Sequence, residues 1–133
     1  MILVDLNQVM ISNLMVQVGG NKNVELDENL FRHMILNTLR SNRTKFGDKF
    51  GELVICCDDK NFWRRERFPY YKANRKKYRD ESTVDWSTVF NTLNKVRDEI
   101  EEFFPYKVIR IETAEADDVI ATLVKLNQGE TTL

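Results

Sequence analysis

Histidine occurs once and cysteine twice in these 133 residues, and that scarcity removes most zinc and thiol chemistry from consideration. Cys56 and Cys57 are adjacent within an apolar run, which suits buried thiols and offers neither a disulfide framework nor spaced metal ligands. His33 sits among apolar neighbours and reads as a packed or surface residue. No apolar run approaches the roughly 18 residues that span a bilayer, and the start lacks the basic region of a signal peptide. The expectation is a cytoplasmic chain with no membrane partner. Neither internal repeats nor low-complexity stretches occur. What remains is 42% hydrophobic and 31% charged, an ordinary composition for one globular domain with a core of its own.

Net charge is also nearly absent, at −1, but the average conceals a strong asymmetry. Between Lys60 and Arg79 there are nine basic residues and one acid, Glu66, a local charge of +8 that leaves −9 on the rest. Six aromatic residues, Phe62, Trp63, Phe68, Tyr70, Tyr71 and Tyr78, are interleaved with these cations. Bases stack on aromatic faces while Lys and Arg neutralise phosphates, so the mixture suits a track for single-stranded nucleic acid. The competing reading is a basic loop whose rings pack on the body. A long insertion in a compact domain favours the functional reading, and so much like charge predicts a segment that orders only with its ligand.

Around that segment the pattern alternates. Residues 1–5 read as a buried strand, followed by helical spacing at Val9, Met10, Leu14 and Met15. Gly19 and Gly20 mark a turn. Asp27 is a good N-cap, with Leu26 and Phe31 at the positions of a hydrophobic staple, and Phe31, Met34, Ile35 and Leu39 form the stripe of a second helix. After Gly47 and Gly51, Glu52 to Cys57 read as a second strand. A third helix starts near Thr83 with Trp86, Val89, Phe90, Leu93, Val96, Ile100 and Phe103 as its apolar face, and Pro105 ends it. Tyr106 to Ile111 form a third strand. A last helix buries Ala116, Val119, Ile120, Leu123 and Val124, with Thr113 as its cap. Strands alternating with helices predict an α/β fold, a parallel sheet with helices on both faces.

The acids carry the chemistry. Glu115, Asp117 and Asp118 crowd the first turn of the last helix. One or two carboxylates there complement the helix dipole, for about 0.3 to 1 kcal/mol each, whereas a third adds repulsion. Asp5 and Asp58 each follow a strand, at the edge where parallel sheets present ligands. Each alone is equally well a cap or turn residue. Together the five acids predict one shared site, and oxygen ligands without histidine suit Mg²⁺ or Mn²⁺. An acidic metal cluster beside a basic, aromatic lid is the composition of a metal-assisted phosphodiesterase.

The segments Ile-Leu-Val-Asp-Leu-Asn, Val-Ile-Cys-Cys-Asp-Asp, Phe-Trp-Arg-Arg, Tyr-Tyr-Lys-Ala-Asn-Arg, Asp-Glu-Ser-Thr-Val-Asp-Trp and Glu-Ala-Asp-Asp-Val-Ile-Ala span the chain, and in that order they resemble the flap endonuclease and 5′ to 3′ exonuclease family, whose members include enzymes named ribonuclease H. The resemblance implies a PIN-like N-terminal nuclease domain over 1–133, with a basic arch at about 60–82. It implies Asp5, Asp58, Glu115, Asp117 and Asp118 as metal ligands. Lys72 and Arg75 would engage the scissile phosphate, Lys72 as an electrostatic clamp where charge accumulates. Arg64 would contact another phosphate and Tyr71 would stack on a terminal base, with Arg65, Lys76, Lys77 and Arg79 along the strand. The implied substrates are DNA and RNA–DNA with 5′ ends or flaps, including RNA primers of Okazaki fragments, and the implied partners are replication proteins such as a single-strand binding protein.

The family pattern continues past Leu133 with a strand bearing two further metal-binding aspartates and a helical module that grips duplex DNA. Their absence from this sequence leaves two expectations, a piece of a longer enzyme or one chain of a split nuclease completed by a second polypeptide. A non-catalytic nucleic-acid-binding module and a small PIN-type ribonuclease remain the alternatives. The long aromatic arch argues against the latter.

Overall fold

The computed structural model describes residues 1–19, 25–82 and 84–133. Three strands, β1 (Ile2–Asp5), β2 (Leu53–Cys57) and β3 (Lys107–Arg110), form a parallel sheet in the order β1-β2-β3. Val4 pairs with Ile55 and Ile55 with Val108. All three strands therefore point their carboxyl ends the same way. All five residues of β2 are buried, as expected for a central strand covered on both faces.

Helices α1 (Leu6–Val18), α2 (Glu28–Phe50) and α5 (Trp86–Phe103) cover one face, burying Met10, Leu14, Phe31, Ile35, Leu39, Val96 and Ile100 against Ile2, Val4, Leu53 and Ile55. Each such side chain contributes roughly 1.5–3 kcal/mol of transfer free energy. Helix α6 (Ala116–Leu126) covers the other face through Ala116 and Val119, against Val54 and Cys56. The adjacent cysteines thus point into opposite layers, free and buried. The parallel sheet with helices on both faces is as the alternating pattern predicts.

The local signals hold with some corrections. Asp27 caps α2 by accepting from the N–H groups of Asn29 and Leu30. Gly47 does not end that helix, which runs through it to Phe50. Gly51 ends it, at φ 83, where glycine carries no Cβ penalty. Asp85 caps α5. The turn expected at Gly20 and the helix start expected at Thr83 lie outside the described residues. On α5 Phe90 and Phe103 are exposed rather than core residues, and Thr92 is buried in their stead. Met15 on α1 and Val124 on α6 are likewise exposed. Phe104 is extended before Pro105, the geometry proline imposes on its predecessor. No helix among the described residues is long and apolar enough to cross a membrane.

The basic segment contains two short helices, α3 (Trp63–Arg67) and α4 (Asn74–Asp80). Arg and Lys are good helix formers, and the run Asn-Arg-Lys-Lys-Tyr-Arg-Asp contains no glycine or proline to interrupt a turn. Among its rings, Trp63, Phe68, Tyr70 and Tyr78 are exposed, as a segment that faces a ligand rather than the body requires.

Candidate metal and nucleic-acid site

Asp5 closes β1 and caps α1, its carboxylate accepting from the Gln8 N–H at 3.0 Å. Burial pushes this carboxyl above its usual range, and the nearby negative charges of Asp58 and Asp117 push it further. Mutual repulsion of this kind is what a bound cation relieves. Asp58 follows β2 directly, and both its oxygens are engaged. Oδ1 accepts from the Ala116 N–H at 2.7 Å, and Oδ2 accepts from the Asn7 side-chain amide. The central acid therefore ties together the first turns of α1 and α6. Asp117 is exposed.

Glu115 and Asp118 sit differently. Glu115 is 2% exposed and accepts from Lys72 Nζ at 2.5 Å, Arg64 Nη1 at 2.6 Å and the Tyr71 hydroxyl at 3.2 Å. Burial opposes its charge, yet these partners, Lys72 foremost, hold its carboxyl below the usual range. Asp118 receives both terminal nitrogens of Arg64, Nη1 at 2.9 Å and Nη2 at 2.6 Å, which lowers its pKa. It also accepts from the Trp63 indole at 3.2 Å and the Glu115 N–H at 3.0 Å. Burial disfavours the charge on Lys72, but Glu115 outweighs it and the ammonium pKa rises.

Thr113 is not the cap of α6. It lies in the left-handed region at φ 66, where its N–H reaches Asp59 and its carbonyl accepts from the Trp63 N–H. Glu115 takes the cap position instead. Lys72 has the same unusual backbone, φ 55, a conformation non-glycine residues keep only where the surroundings impose it. It turns the chain between α3 and α4 and sends its ammonium inward to Glu115.

Among the described residues no three acids form a ready-made metal cage. The physical reason is visible in the bonding. Glu115 and Asp118 are neutralised by Arg64 and Lys72, and both oxygens of Asp58 hold donors. The uncompensated charge lies at Asp5, Asp58 and Asp117. Those donors are all oxygen, the type a hard divalent cation takes, and Asp58 and Asp117 bear on Asp5 with like charge. Of the cations expected to face a strand, Arg64 and Lys72 face the acids, whereas Arg75, Lys76 and Lys77 are exposed and have no ion-pair partner among the described residues. Arg65 stacks over Phe62 at 4.8 Å and Arg79 over Phe90 at 5.4 Å. Asn7 and the Ala116 N–H were not legible as parts of the site. Their one signal is that an amide occupies the first turn of α1, where a helix dipole favours an acid.

Residues 29–133 match the 5′-3′ exonuclease, N-terminal resolvase-like domain. Over 126 residues the chain is 39% identical to the ribonuclease H of enterobacteria phage T4, which covers 92% of this chain and 41% of that protein. The chain thus spans about two fifths of that relative. Its fold is similar to that of the bacteriophage T5 flap endonuclease solved with DNA and metal ions, with TM-score 0.63 at 23% identity over 94% of this chain and 43% of that one. It is similar also to the T5 5′-exonuclease with bound zinc ions, with TM-score 0.65 at 23% identity over 95% and 44%. Covering most of the sequence, from the second helix to Leu133, the family match places this chain among the 5′-3′ exonucleases, as their N-terminal resolvase-like domain.

Proposed function

We propose that this chain is the metal-binding and strand-gripping part of a divalent-metal-dependent 5′ nuclease, acting on DNA or RNA–DNA with 5′ ends or flaps. The observation that carries the reading is the juxtaposition of two charge arrangements. At the carboxyl edge of the sheet Asp5 lies within the negative fields of Asp58 and Asp117, and beside them Glu115 and Asp118 hold the cations of the basic segment. Asp5, Asp58, Asp117, Glu115 and Asp118 would hold Mg²⁺ or Mn²⁺. Such an ion supplies an activated water and stabilises the departing oxygen.

The chain's own residues do the rest. Were Glu115 and Asp118 to hold a metal, Lys72 and Arg64 would give up these carboxylates and could face the substrate phosphate, where negative charge accumulates in the transition state. Arg75, Lys76 and Lys77 neutralise the backbone of the strand, and Tyr71 offers a ring to the terminal base. Removal of RNA primers, with a single-strand binding protein as partner, is the role this chemistry suits.

A further acidic strand, from the same or a complementing polypeptide, would extend the sheet at the outer edge of β1. Leu133 donates to the Met1 carbonyl at 3.1 Å and accepts from the Leu3 N–H at 2.8 Å, the start of a parallel ladder on the outer edge of β1. Such a strand, parallel to β1, would run toward Asp5. The test is a 5′-labelled flap duplex incubated with Mg²⁺ or Mn²⁺ and this chain, with and without a polypeptide supplying that strand and a helical module. Metal-dependent 5′ cleavage that requires the supplement and is lost in Asp58→Ala supports the reading. Salt-sensitive binding without cleavage under every condition would make the chain a nucleic-acid-binding module instead.

A further inference from the structure

Asn7 lies in the first turn of α1, two residues beyond Asp5, and its side-chain amide donates to Oδ2 of Asp58, 51 positions away in the sequence. The orientation of that amide is dictated by charge. An ionised carboxylate only accepts, so the NH₂ end must face Asp58. The other oxygen of Asp58 accepts from the Ala116 N–H at 2.7 Å. One donor on each oxygen, from two different helices, fixes the carboxylate plane before any ligand arrives. Each oxygen keeps a further lone pair for a metal.

The choice of residue type matters. The first turn of α1 contains no acid, although a carboxylate at position 7 would complement the dipole. It would also face Asp58 as a fourth negative charge beside Asp5 and Asp117. Serine would be too short to span the same gap, and an apolar residue would leave Oδ2 of Asp58 without its donor. A neutral side chain with an N–H at that reach answers both demands.

We infer that Asn7 is a positioning residue for this site, holding the Asp58 carboxylate in the orientation in which it takes a divalent cation. The inference rests on the proposed metal-binding reading and adds to it a residue that touches neither metal nor substrate. Groups that hydrogen-bond metal-ligating carboxylates typically cost 10–100-fold in metal affinity when removed.

The experiment is a titration of the 133-residue chain with Mn²⁺, free ion being read by electron paramagnetic resonance, for wild type, Asp58→Ala, Asn7→Leu, Asn7→Ala and Asn7→Gln. Asn7→Leu keeps the branched heavy-atom skeleton and removes the donor, and Asn7→Ala replaces it should the bulkier Asn7→Leu fail to fold. Asn7→Gln keeps the amide. The expected result is a loss of about 10–100-fold in Mn²⁺ affinity for Asn7→Leu and Asn7→Ala, with Asn7→Gln nearer to wild type. Binding of single-stranded DNA in EDTA should stay within twofold of wild type. Affinity of both donor-free variants within threefold of wild type, while Asp58→Ala has lost binding, overturns the positioning role and leaves the metal site standing. Equal Mn²⁺ affinity in wild type and Asp58→Ala overturns the metal site itself. A fall in metal-free DNA binding parallel to the fall in Mn²⁺ affinity would assign Asn7 to general folding and also overturns the inference.

Discussion

Replacing Arg64 by alanine separates the two duties of the acids on α6. The guanidinium makes three charge-assisted bonds, at 2.6 Å to Glu115 and at 2.9 and 2.6 Å to Asp118. The Glu115 side chain is 3% exposed and that of Arg64 26%, so solvent screens the pairing only weakly. A hydrogen bond to a charged group contributes about 1.5–3 kcal/mol, and removing a partner from a fully buried pair costs about 3–5 kcal/mol. Lys72 and Tyr71 remain on Glu115, and Trp63 remains on Asp118. The residual cost is therefore at the lower end, about 2–3 kcal/mol. At roughly 3–5 °C per kcal/mol for a chain of this size, Arg64→Ala should lower Tm in EDTA by roughly 6–15 °C. Mn²⁺ should then raise Tm more in the variant than in wild type, because Asp118 has lost its guanidinium and Glu115 is left to Lys72 and Tyr71, so the ion displaces less. Occupancy at 100 times Kd adds about 2.7 kcal/mol. Differential scanning calorimetry with EDTA and with Mn²⁺ reads both effects. A fall of less than 2 °C in EDTA, or an equal Mn²⁺ shift in both proteins, would refute the competition between cation pairs and metal.

Lys72→Ala in the complemented nuclease should lower the cleavage rate more than substrate binding, since its charge matters most when the phosphate is most negative; single-turnover kinetics against a binding isotherm decide, and equal losses in both would remove it from the clamp role. Arg75→Ala/Lys76→Ala/Lys77→Ala should leave Tm unchanged and reduce the slope of log K against log salt for single-stranded DNA by about 2, whereas an unchanged slope would mean these side chains do not meet the backbone. Burial pushes the Cys56 thiol up to about 11 and the Cys57 thiol up to about 12, so Ellman's reagent at pH 8 should label neither in the native chain and both in urea, and rapid native labelling would contradict the core described. Thr113→Gly should leave stability unchanged or raise it, because glycine accepts a φ of 66° without the penalty of a β-branched residue; a loss above about 1 kcal/mol by urea titration would show that the threonine side chain holds the turn.

The sheet was readable because β-branched and apolar runs alternate with helical stripes over most of the chain, and because Asp27 announces α2 by local chemistry alone. Phe90 and Phe103 misled, since helical spacing identifies a face but not which end of that face another element covers. Thr113 misled as a cap because its backbone is turned by partners distant in sequence, Asp59 and Trp63. The places of the acids, after β1, after β2 and in the first turn of α6, were legible in the sequence. Their division into a repelling group and a cation-paired group was not, because it depends on how Lys72 turns at φ 55 to reach a residue 43 positions away. Asn7 left no more than the signal of an amide in a first turn, because its bond to Asp58 forms only where α1 and the end of β2 meet.

The account depends most directly on a divalent cation binding among Asp5, Asp58 and Asp117, with the α6 acids beside them. Substoichiometric Mn²⁺ added to ¹⁵N-labelled chain broadens amide signals near the bound ion. The account predicts selective loss of the amide signals of Asp5, Asp58, Ala116 and Asp117, followed by those of Arg64 and Lys72, and no such loss in Asp58→Ala. Broadening that instead centres on other surface acids, such as Glu28 and Glu99, or that persists unchanged in Asp58→Ala, would contradict it.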